Sequence, residues 1–220
     1  MTFSISVLFE IIAFLSSIFF FIRKKNSLIS SFIPFLFVTV VVEFLGWLWS
    51  VNGGSQYKYV MYNFFIPLEI IFYSTLFHRY LRKPLFKKIV ILLVPVFLAM
   101  ATINMIFIQG VNHTFNSYTA LLGAFIIVIF CCLFFYESVL PDQMDQQLLK
   151  QPFFWVTSGL LIFYLGSVIA NALFEYLKSN DLQEQSKRIY VIIFDSLNVI
   201  LYSSFCLAFY LCPSKKKIYL

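Results

Sequence analysis

Apolar residues run along this chain in long unbroken blocks, and polar residues gather between them. A helix needs about 20 predominantly apolar residues to cross about 30 Å of hydrocarbon. Seven segments meet that length: 3–22, 30–50, 60–78, 86–107, 116–136, 153–175 and 189–211. Strands of a membrane barrel run about 10 residues and alternate polar with apolar positions. Stretches such as Ile126-Ile127-Val128-Ile129-Phe130 do not alternate. A helix also satisfies its own backbone groups, as lipid requires. The pattern predicts an all-α, polytopic membrane protein, a single bundle of seven transmembrane helices over 1–220. The longest gaps, 137–152 and 176–188, are too short to bury a core of their own. Pro34, Pro67 and Pro95 lie within or near the starts of segments. Each removes one backbone donor, and they read as packing features.

Composition sharpens this picture by exclusion. The chain is 61% hydrophobic and 12% charged, against about 45–50% and about 25% in soluble domains. Too few charged side chains remain to cover a water-facing surface, and disorder needs low hydrophobicity. Four Cys and seven Gly in 220 residues exclude a disulfide scaffold and a collagen-like fibre. The first segment is read as a retained anchor, because its charges, Arg23-Lys24-Lys25, follow the apolar run and Glu10 interrupts it. A signal peptide carries its positive charge first.

The basic residues set an expected orientation. Arg23, Lys24, Lys25, Arg79, Arg82, Lys83, Lys87, Lys88, Lys150, Lys215, Lys216 and Lys217 fall at one set of segment ends. Only Lys58, Lys178, Lys187 and Arg188 fall at the other, which accounts for all 16. Cytoplasmic loops carry the Lys and Arg excess, so the amino terminus is expected outside and the carboxyl terminus in the cytoplasm. The net charge of +6 then belongs beside anionic headgroups. The expected surroundings are the lipid bilayer, with no nucleic-acid partner.

Acids inside apolar segments are the most informative residues. Glu10, Glu43, Glu69, Glu175 and Asp195 lie within the seven blocks, and no Lys or Arg sits deep in any block to pair with them. A charge at mid-bilayer costs about 2.5–3.5 kcal/mol on insertion scales. Such side chains turn to a bundle interior or a wet cavity. Each acid heads a polar stripe at helical spacing: Ser6, Glu10, Ala13, Ser17; Thr39, Glu43, Gly46, Ser50; Tyr62, Glu69, Tyr73; Ser167, Asn171, Glu175; Asp195, Asn198, Tyr202. In the expected orientation Glu10, Glu43, Glu175 and Asp195 lie in the outer half, and Asn63 and Asn104 add outer amides. Two readings follow. In one, Glu10, Glu43, Tyr62, Glu69, Asn171, Glu175, Asp195 and Asn198 line an outward-open cavity that binds a ligand or ion. In the other they are interfacial residues and interhelical hydrogen-bond partners.

Other motifs add less. Gly166 and Ala170 have the small-xxx-small spacing that lets helix backbones approach. Cys131, Cys132, Cys206 and Cys212 fall in the fifth and seventh segments or at their edge and read as small apolar residues. Cys212, before Pro213 and Lys215, is also a conceivable palmitoylation site. Asn112-His113-Thr114 matches a glycosylation sequon in a short loop, Asn52-Gly53-Gly54 reads as a turn, and 142–151 is a polar, Gln-rich stretch. That stretch and the basic 79–88 loop are where a cytoplasmic partner would dock. The aromatic residues, 29 Phe among them, suit an interfacial belt. The two His, His78 and His113, lie at opposite expected sides, so no His-based metal site is expected. No catalytic motif or phosphate loop occurs, so neither an enzyme nor a cofactor is expected.

The segment Phe153-Phe154-Trp155 through Gly159-Leu-Leu-Ile-Phe-Tyr-Leu-Gly166 resembles a recurrent stretch of bacterial seven-helix membrane regions. Those regions are similar to the sensor portions at the amino end of some membrane histidine kinases. The resemblance covers little more than the sixth segment and the helix count, and carries no catalytic residue. It implies a sensor or receptor-like module in a bacterial inner (plasma) membrane, signalling to a cytoplasmic or membrane protein partner. A proton- or cation-coupled transporter and a non-catalytic subunit of a membrane complex are the alternatives.

Overall fold

The computed structural model describes residues 5–111, 114–139, 148–179 and 183–214. The described residues form helices and connecting turns, with no strand among them. The helices are α1 (Ile5–Lys24), α2 (Ser27–Val51), α3 (Ser55–Tyr80), α4 (Pro84–Ile103), α5 (Ser117–Val139), α6 (Pro152–Ser179) and α7 (Gln183–Leu211). All seven are long and apolar enough to cross a membrane. Several helices outrun the apolar blocks: α3 starts at Ser55 where apolarity starts near 60, and α7 at Gln183 where it starts near 189. Backbone hydrogen bonding does not need an apolar side chain, so a helix continues past the hydrocarbon edge. A π-helical turn, Asn104–Ile108, extends α4, and the Gln109 N–H closes it on the Asn104 carbonyl at 2.9 Å.

The turns follow local chemistry. Asn26 caps α2, its Oδ1 accepting the Leu28 N–H at 2.8 Å, which satisfies one orphan donor of the first turn. Gly53, at φ +75°, turns the chain between α2 and α3 with nothing near its Cβ position. Lys83 is extended before Pro84, because proline clashes with a helical predecessor. Pro84 then opens α4, where its missing N–H costs nothing.

The chain groups into two compact units. The first lies within Val41–Asp145 and Tyr164–Ile169, and α3, α4 and α5 pack on one another there. Their meeting point is Gly123, where an added Cβ would lie 2.9 Å from Ile70 Cδ1 and 3.4 Å from a Phe97 ring carbon. Lipid offers no hydrophobic drive between helices, so such shape matching and polar ties hold the group together. The second unit lies within Thr2–Val40, Gln146–Phe163 and Ala170–Leu220, and α1 packs along α7. Phe32 of α2 stacks on Phe205 and Phe209 of α7, at ring-centre distances of 5.0 and 5.3 Å. At Gly159 of α6 an added Cβ would fall 1.9 Å from Ser204 Oγ of α7, so that crossing tolerates only hydrogen.

Helix α1 shows how the faces divide. Ser6, Glu10, Ala13 and Ser17 are its buried residues, the stripe its spacing predicts. Ile5, Leu8, Ile12, Leu15, Phe19 and Ile22, at the same period, are exposed. A water-soluble protein does not display such a strip; acyl chains suit it.

Candidate functional site

The polar residues of the first unit assemble around one face of α3. Lys58, Tyr62, Glu69 and Tyr73 are spaced four, seven and four residues apart, which holds them on one side of the helix over about 22 Å at 1.5 Å per residue. Helix α2 adds Glu43, Gly46 and Ser50 at intervals of three and four. Gly46 is required there: the Tyr62 hydroxyl lies 2.8 Å from where its Cβ would be. Tyr62 uses that space to hydrogen-bond the Glu43 carboxylate. Lys58 donates to Ser50 Oγ at 3.1 Å, Ser50 donates on to the Gly46 carbonyl at 2.7 Å, and the Lys58 ammonium is close enough to act on Glu43.

Deeper along α3, Glu69 meets the Tyr164 hydroxyl from α6 and feels the Glu43 charge. Tyr164 packs edge-on against Tyr73, ring centres 6.2 Å apart, with Cys131 of α5 nearby. Tyr73 and Tyr164 are buried, whereas Glu43 and Glu69 are half-buried. The arrangement sets two carboxylates in apolar helices, each beside a phenol, with an ammonium at one end. It can hold a proton or a small cation, and hydroxyls and carboxylates together can exchange protons by rotation of O–H groups.

Of the predicted site residues, Glu43, Tyr62 and Glu69 are therefore gathered in the first unit. Glu10, Asn171, Asp195 and Asn198 belong to the second. Glu10 is buried there. Asn171 Oδ1 accepts from the Tyr190 hydroxyl at 3.3 Å. Asn198 Nδ2 donates to the Phe194 carbonyl one turn back at 3.0 Å, and Asp195 is half-buried on α7. Glu175 lies in α6, but its side chain falls outside the described residues, as do Asn112 and His113 of the sequon, residues 140–147 and residues 215–220. Gly166 is half-buried and Ala170 buried, and α6 also has a tight glycine contact at Gly159. Among the described residues no three His, Cys, Asp or Glu side chains converge as a metal site would need. All four cysteines are free thiols. Cys212 is buried, and burial pushes its thiol up to about 11 against the opposing pull of Lys24, a poor setting for acylation because the thiolate is the nucleophile.

Three participants, Lys58, Tyr164 and Glu137, stand apart from the predicted site residues. Lys58 lies before the expected third segment, but α3 begins early enough to take it into the helix. Tyr164 is hidden in an apolar run. Glu137 sits one residue beyond the expected fifth segment, yet it is buried, and its two oxygens accept the main-chain N–H groups of Arg82, at 2.8 Å, and Lys83. At the opposite end of α3, Asn63 spends its whole carboxamide on the α4–α5 connection. Its Nδ2 donates to the Val111 and Thr114 carbonyls, both at 3.0 Å, and its Oδ1 accepts the Asn116 N–H at 2.9 Å. Asn104 supports the same connection through Gln109 and Thr119, at 2.9 and 2.8 Å. The signal for these residues is position: a lone polar side chain just inside a helix end, opposite a short connection.

Set against protein-family models, curated proteins and solved structures, the chain matches none of them.

Proposed function

We propose that this multi-pass membrane protein is a sensor or receptor-like module whose stimulus is a proton or small cation taken up by Glu43 and Glu69. The supporting observation is the polar face of α3, with Lys58, Tyr62 and Glu69 in line and Glu43 and Tyr164 brought to it from α2 and α6. Neutral phenols keep the carboxylates solvated inside apolar helices without fixing their charge, so occupancy changes the local field. Lys58, tied to Ser50 by a single hydrogen bond, exchanges partners when a cation or proton neutralises Glu43. The ties at both ends of α3–α5 hold the row in a fixed frame, which favours binding in place over a path that opens alternately to two sides. The response passes to a cytoplasmic or membrane partner in this reading. The transporter alternative draws on the same proton-exchanging row of side chains.

Charge movement separates the two. Full-length protein in supported bilayers, challenged with a pH or cation jump, gives a transient charge displacement that decays to zero if it binds without translocating. Glu43→Gln with Glu69→Gln abolishes the transient while leaving the thermal melt nearly unchanged. A sustained current that needs these two acids replaces the sensor by the transporter. A transient of equal size in the double variant removes the site altogether.

A further inference from the structure

The corner between α3 and α4 carries Arg79, Arg82, Lys83, Lys87 and Lys88, and the 79–88 stretch contains no acid. Arg79, Arg82 and Lys88 are exposed, and Lys83 and Lys87 half-buried. Among the described residues the acid packed against this corner is Glu137, and both its oxygens are taken by the main-chain N–H groups of Arg82 and Lys83. Its charge is thus committed to the turn, and among the described residues no ion pair engages any of the five cationic side chains. The Lys83 ammonium stands over the rings of Phe86 and Tyr136, 5.7 and 5.8 Å from their centres.

Directly beside the cations the surface is apolar. Leu85, Leu92 and Val96 are 64%, 66% and 46% exposed and share one face of α4 with Lys88, at spacings of three, four and four. Tyr136 and Val139 of α5, 59% and 68% exposed, flank the same corner. A ligand that matches this surface carries a negative head on a long apolar tail. A soluble phosphate would use only the upper part. We infer that the α3–α4 corner binds the headgroup of an anionic phospholipid, with its acyl chain laid along the Leu85–Lys88–Leu92–Val96 face of α4.

Spin-labelled phosphatidylglycerol and phosphatidylcholine, added in turn to the full chain reconstituted in phosphatidylcholine bilayers, test this by the immobilised fraction of each. The native chain is expected to immobilise phosphatidylglycerol preferentially, and high salt to weaken that preference, as screening requires. Arg79→Gln with Arg82→Gln, and separately Lys87→Gln with Lys88→Gln, each lower it, by up to about fivefold per cation, the equivalent of about 1 kcal/mol each. Arg188→Gln, an exposed cation of α7, leaves it unchanged. The double variants alter only surface charges, and an unchanged melt shows that they fold. Equal immobilisation of both lipids by the native chain overturns the inference, as does a preference that survives in both double variants. Displacement of the lipid by soluble glycerol phosphate overturns it too, by showing a site for free phosphate.

Discussion

The α3–α4–α5 group and the packing of α2 and α6 on α7 in the second unit are held by different means. In the first, polar side chains reach beyond the side-chain layer to main-chain groups: Glu137 takes two N–H groups at one end, and Asn63 takes two carbonyls and an N–H at the other. In the second, rings and missing side chains dominate. Phe32 stacks on Phe205 and Phe209, and Gly159 leaves room for Ser204. The second unit has its own main-chain tie, Lys24, which donates to the Tyr210 and Phe209 carbonyls near the end of α7. Polar groups facing fixed main-chain partners serve as clamps. Glu43 and Glu69 face rotatable hydroxyls instead, and that freedom suits them to respond.

If the contrast is sound, the clamps are the most sensitive points. Glu137→Ala removes two hydrogen bonds to a buried carboxylate, each worth about 1.5–3 kcal/mol, and is expected to lower unfolding free energy by about 3–5 kcal/mol in detergent titrations. Glu137→Gln, which keeps one acceptor, falls between. A loss below 1 kcal/mol on the scale of an ordinary neutral hydrogen bond would erase the distinction between the groups. Asn63→Ala strips three main-chain partners and is expected to cost about 2–3 kcal/mol. It also speeds amide exchange over 109–118, read by mass spectrometry.

The shape-based α6–α7 crossing answers to volume. Gly159→Ala overpacks it and is expected to cost about 1–3 kcal/mol. Ser204→Gly in the same chain recovers most of that loss, because the two positions share one contact. The smallest effect sits at the α7 cap. Cys212, with its thiol near 11, is expected to alkylate slowly at pH 7, and its rate to rise about tenfold per pH unit until the thiol ionises. Lys24→Gln takes away the charge that favours the thiolate and slows the reaction further. Site-resolved mass spectrometry reads both.

How far these features could be read beforehand depended on whether they are periodic. The α1 stripe of Ser6, Glu10, Ala13 and Ser17 is legible because burial on a helix repeats with the turn. Seven long helices are legible because lipid demands length. The pairing of Gly46 with Tyr62 was not, because it joins two helices through a missing side chain, which no spacing within one helix encodes. Glu137 and Lys58 lie outside the apolar blocks for a shared reason: hydropathy finds the edge of the hydrocarbon, whereas the helix, and the polar contacts at its end, lie a few residues further on. Tyr164 was lost in a run where one hydroxyl hardly changes the average.

The two connections that flank α3 and α4 on the side away from the basic corner differ in a way that matters for engineering. Asn52 and Gly53 stand exposed, and Gly53 has open space about it, whereas the connection after Ile108 is stitched to Asn63. An epitope spliced between Asn52 and Gly53 is accommodated, and antibody access to it reports which compartment that loop occupies. The same tag placed after Val111 pulls on the stitching and reports damage along with location.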